Sequence, residues 1–149
     1  KTGNAIDKEV SVSNGTDTEM EPDKENDDIG RSDKDHFSTE KKIYSDNHPI
    51  PPRVRYPDKL VYHIQLGVFS KKVAPESFGA LAPVCFEEIE GKALFKYYAG
   101  LFFTYKSAGE AHTIVRSRGY PDSFIVAFHG GKQISIDKAK QLEYIQIKF

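Results

Sequence analysis

Cys85 is the only cysteine among the 149 residues. One thiol cannot close an internal disulfide, and it excludes zinc sites assembled from several thiolates. It leaves the redox compartment open, because envelope proteins of bacteria often carry no disulfide. Long apolar runs are missing as well. With no stretch of about 18 apolar residues, the sequence holds no membrane-spanning helix. It opens on Lys1 without a basic-then-apolar leader. The expectation is a processed product or an excised fragment, with any signal or anchor lying upstream.

Aromatic residues are scarce at first and then abundant. Between Lys1 and Asp46 only Phe37 and Tyr44 are aromatic, and 13 acids stand against 7 bases. Such a segment has too little to bury, and its like charges repel, so it reads as a disordered acidic spacer. The spacing from Asp23 to Arg31 does not supply the turn glycine and terminal Glu of a calcium loop. His48-Pro49-Ile50-Pro51-Pro52 continues stiff and extended. The expected division is a linker over residues 1–57 and a domain over 58–149. From Asn47 onward 14 bases meet 9 acids, so the overall charge of -1 is a cancellation between an acidic half and a mildly basic one.

In the domain, Tyr62, Ile64, Leu66 and Val68 alternate with His63, Gln65, Gly67 and Phe69, the pattern of a strand with one buried face. Pro75 to Leu81 has room for a short helix stopped by Pro83. Val84 to Glu90 and Ala93 to Phe103 read as a hairpin around Gly91-Lys92. Ser107 with Glu110 resembles a capping box, followed by the apolar stripe Ala108, Ala111, Ile114 and Val115 and the stop Gly119. Ser123 to Phe128 is a fourth, continuously apolar strand, ended by Gly130-Gly131. The order βαββαβ predicts an α+β fold of the ferredoxin-like (RNP-like) kind. Its four-stranded antiparallel sheet would carry both helices on one face and leave the other open. Ile136 to Glu143 adds a C-terminal helix, and the alternating tail Tyr144 to Phe149 is a candidate edge strand.

No catalytic constellation accompanies these elements. His36, His48, His63, His112 and His129 match no metal-binding spacing. Cys85 between Val84 and Phe86 reads as a small core residue. Of Glu87, Glu88 and Glu90 only the last two share a strand face. Gly130-Gly131-Lys132 lacks the spacing of a phosphate loop. The expectation is a protein without catalytic activity, metal or cofactor. A binding surface fits better, with His63 and Gln65 from the first strand and Lys96 and Tyr98 from the third on the open face.

Three stretches carry a family resemblance. Tyr62-His63-Ile64-Gln65-Leu66-Gly67-Val68-Phe69 resembles the opening strand of SPOR domains, an apolar-Gln-apolar-Gly-x-Phe run. Lys96-Tyr97-Tyr98-Ala99-Gly100-Leu101-Phe102 resembles the repeat of that run. Gly119 to Phe128, with Gly131-Lys132 and Ile134-Ser135, is similar to the ending common in such domains of Bacteroidetes-type bacteria. Val68 and Leu94 depart from the family pattern. The resemblance covers about Lys59 to Glu143. It implies a monomeric peptidoglycan-binding module of the bacterial periplasm or cell envelope, which recognises septal glycan strands stripped of stem peptides. Gln65 would hydrogen-bond the sugars, Lys96 would attract the freed lactyl carboxylates, and Tyr98 or Phe102 would pack on sugar faces. Cell-division or envelope proteins are the further partners it implies. An envelope protein-interaction module of the same fold, adding a strand through the tail, is the alternative. RNA is disfavoured, because the basic-Gly-aromatic-Gly-aromatic run of RNA-binding plaits is absent.

Overall fold

The structure is a computed structural model that describes residues 34–148. The expected spacer over residues 1–33 lies outside the described residues, as does Phe149. Five strands and two α-helices follow one another: β1 (Leu60–Phe69), β2 (Val84–Ile89), β3 (Leu94–Phe102), α1 (Tyr105–Ser117), β4 (Phe124–His129), β5 (Lys132–Ile134) and α2 (Ile136–Lys148). The strands form one antiparallel sheet in the order β2-β3-β1-β4-β5, an α+β arrangement.

Alternation sorts the side chains. On one face Tyr62, Ile64, Tyr97, Ala99 and Ala127 pack with Ala108, Ala111 and Val115 of α1 and Ala139 of α2 to make the main core. On the other, Val61, Tyr98, Val126 and Phe128 form a smaller buried cluster.

Several expectations are corrected. The predicted first helix is a single 3₁₀ turn, Pro75–Phe78, because Pro83 and the glycine at 79 leave no room for a second turn. Gly130 and Gly131, both at positive φ, do not merely end β4; they make the tight turn that folds β5 back onto it. Helix α1 starts at Tyr105, one residue after its N-cap Thr104, whose hydroxyl accepts from the Ser107 amide at 3.1 Å. Ser107 therefore lies inside the first turn instead of capping it. The tail is helix, not an edge strand. Ser135 caps its start through the Lys138 amide, and no glycine or proline interrupts the chain to Lys148.

The packed unit also begins earlier than residue 58, at Asp35. Backbone pairs tie His36 to Leu101 and Ser38 to Ala82, and a parallel bridge sets Pro52 beside Phe86 of β2. Tyr44 is buried with its hydroxyl accepting from the Val84 amide at 2.8 Å. Residues 35–57 thus form a strap on the outer edge of β2, where an unpaired strand would otherwise face solvent.

Candidate functional site

The sheet face opposite the helices has two ends, and the strap covers one of them. Arg53 leaves the strap beside β2, and its Nε and a terminal nitrogen donate to the two Glu87 carboxylate oxygens at 3.2 and 3.4 Å. The same guanidinium lies 4.0 Å over the Phe128 ring on β4, and its terminal nitrogen reaches the Gly131 carbonyl at 3.5 Å. One side chain therefore connects β2 to the β4–β5 turn across a curled sheet. Its own exposure is 4%. Burial alone would raise the Glu87 carboxyl, but the hydrogen bond and charge of Arg53, with Tyr98 and Lys96, hold it below its usual range. Tyr98 donates to Glu87 Oε1 at 3.1 Å and is wholly buried, with its hydroxyl pushed upward by burial and by the Glu87 charge.

Beneath this clamp lies His63, 4% exposed and packed between Tyr98 and Phe128. Its Nδ1 stands 2.6 Å from the Gly100 carbonyl. A carbonyl only accepts, so Nδ1 carries the proton and Nε2 presents a lone pair. Nε2 is buried and makes no hydrogen bond to another protein group. Burial pushes the ring down to about 4, and the Arg53 charge adds to that, against the opposing pull of the Gly100 hydrogen bond and Glu87. His63 is therefore a neutral acceptor near pH 7. The Cys85 thiol is pushed up to about 12, chiefly by burial, and so lacks the thiolate a nucleophile requires.

Gly100 explains a further correction. Simple alternation puts Phe102 on the face of Lys96 and Tyr98, but Gly100 takes φ +78° and two residues of β3, Gly100 and Leu101, oppose the single residue His63 of β1 between the Tyr62–Phe102 and Ile64–Ala99 pairs. This bulge reverses the alternation. Phe102 turns into the helix-side core, and its ring lies over Gly100 so closely that a Cβ there would sit 2.3 Å from it. Phe69 covers Gly67 in the same manner, with a Cβ contact of 3.0 Å. Both Gly-x-Phe runs thus have one physical meaning: the ring needs a bare α-carbon to rest on.

At the uncovered end the face is different. Gln65 on β1 stands across from Tyr98 on one side and Phe124 of β4 on the other. Next to that row, Val68 faces Lys96, which in turn faces Glu87. Phe124 is 48% exposed and Val68 44%. Gln65 is largely buried between them, and Lys96 is half-buried. Among Arg53, Glu87 and Lys96 there are two positive charges and one negative, so with Glu87 paired to Arg53 this group of three is net positive.

The five residues expected on the open face thus separate. Gln65 and Lys96 lie towards the uncovered end on neighbouring strands without being register partners, His63 and Tyr98 lie under the strap, and Phe102 belongs to the other face. Phe124 and Arg53 were missed. A run as apolar as Ser123 to Phe128 hides which residues face outward, and Arg53 sits in a stretch whose prolines suggest a linker. The signal for Phe124 is its even spacing from Val126 and Phe128. Among the described residues no three His, Cys, Asp or Glu side chains converge where a metal would be held. No helix of the described residues is long and apolar enough to cross a membrane. No family model, curated protein or solved structure matches the chain.

Proposed function

We propose that this chain is a peptidoglycan-binding module of SPOR type, taking glycan strands stripped of stem peptides at the uncovered end of its sheet. The observation that carries the reading is the cross-strand pair of Gln65 and half-exposed Phe124, one strand away from Lys96. An exposed phenyl ring on a sheet face offers a flat apolar surface to the C–H face of a sugar. Lys96 supplies the surplus charge for a lactyl carboxylate, which exists on muramic acid only once the peptide is gone. The Gln65 amide both donates and accepts, as acetamide and hydroxyl groups require.

The strand order β2-β3-β1-β4 also supports it, since this is the order of a ferredoxin-like plait, here with its first crossover helix shortened to a turn and β5 added at the edge. In this reading the strap narrows the glycan platform to one end of the face, and Tyr98 and Phe102 act through packing instead of contact. Residues 1–33, rich in acid, serve as the reach between the module and whatever anchors it. A periplasmic or envelope location and septal partners follow from that ligand. The test is sedimentation with amidase-stripped sacculi. Phe124→Ala and Lys96→Glu are each expected to weaken binding about fivefold or more with an unchanged far-UV spectrum. Wild-type binding by both would remove the uncovered end as the ligand site.

A further inference from the structure

The strap does more than seal an edge. Between it and the sheet lies a cleft of about 670 Å³, inside the range of small-molecule sites. Phe37, Pro51, Pro52, Tyr56, Val84 and Leu101 give it mostly apolar walls, and His63 contributes to its lining together with Cys85 and Gly100.

We propose that this cleft binds a small, largely apolar ring compound carrying one hydroxyl or N–H donor, which His63 Nε2 accepts. The Gly100 carbonyl fixes the tautomer by accepting a hydrogen bond from Nδ1–H, so Nε2, the one buried side-chain polar atom without a protein partner among the described residues, is an acceptor. Buried acceptors are nearly always paired, and a ligand donor is the missing partner. A neutral imidazole lone pair repels carboxylates and phosphates, which excludes anionic ligands at this atom. A single nitrogen is too little for a metal, and no further ligating side chains converge on it among the described residues. Nε2 is shielded from solvent, so the donor enters as the cleft walls relax. A donor reaches it only if the strap shifts, and backbone pairs at His36, Ser38 and Pro52 hold that strap in place.

This site is separate from the proposed glycan platform, and its test contains no glycan. Phenol and toluene share size and apolarity and differ in the donor. Titrating each into the ¹⁵N-labelled full chain while following the His63 side-chain nitrogens is expected to give a saturable shift at Nε2 with phenol, with toluene bound at least about fivefold more weakly. In His63→Phe the preference for phenol is expected to vanish. No saturable change at His63 with phenol, or equal binding of phenol and toluene by the wild-type chain, would overturn the proposal. Because that comparison uses the wild-type protein, it decides the matter even if the variant does not fold.

Discussion

His63 and Gly100 act as one unit, and their substitutions report on different parts of it. The folded-state pKa of His63 is about 4 against an ordinary 6.5. The unfolded chain therefore binds the extra proton between these values. Stability from this group is complete above pH 6.5 and is lost as pH falls towards 4, up to roughly 3 kcal/mol. Glu87, also held low, contributes a loss in the same direction but below its ordinary value near 4.5. Denaturant titrations at a series of pH values are expected to show the decline beginning near pH 6.5 in the wild type and flattened down to about 4.5 in His63→Phe. Gly100→Ala meets both a left-handed backbone and the Phe102 ring, so a loss of about 3 kcal/mol or more is expected. Gly109→Ala in α1 meets nothing within 4 Å and is expected to stabilise by about 0.5–1 kcal/mol in the same melts.

At the scale of elements, the strap and the sheet depend on each other. Arg53→Ala leaves Glu87 without its bidentate partner and strips the cation from the Phe128 ring. The expected cost is about 2–4 kcal/mol in chemical denaturation. It also loosens the strap, which amide exchange can read. The Phe86 amide donates to the Pro51 carbonyl and the Val84 amide to the Tyr44 hydroxyl, so both are expected to exchange faster in Arg53→Ala while the central Ile64 amide keeps its protection. Unchanged exchange at Phe86 would mean that the clamp does not hold the strap. Four strands and the α1 stripe were legible in the sequence, because periods of 2 and 3.6 survive in single stretches such as Tyr62 to Leu66, although a register shift between Gln65 and Gly67 turns Val68 out and Phe69 into the core. The bulge at Gly100 was not, since one inserted residue preserves composition while it reverses every later side chain. The strap was hidden too. Its segment is poor in apolar residues, and it is held by backbone pairs and one arginine that hydropathy does not register. Phe37 and Tyr44, the only aromatics before residue 47, both pack on the domain, and they were the available signal.

For the molecule as a whole, charge and exposure are arranged at opposite ends of one sheet face. The covered end is apolar and closed by a neutralised ion pair, while the uncovered end keeps Lys96, Phe124 and Val68 in reach of a ligand. The near-zero net charge of the sequence conceals this, because the acidic first third offsets a basic domain. In the proposed reading this end takes an extended anionic polymer with sugar faces, along which several weak contacts would add up to useful affinity. The difference between intact and stripped glycan is one carboxylate per muramic acid. The most direct test is therefore co-sedimentation of the chain with peptidoglycan sacculi before and after an amidase removes the stem peptides. The account predicts that binding rises several-fold after stripping and weakens with added salt; binding that stays the same or falls after stripping would contradict it.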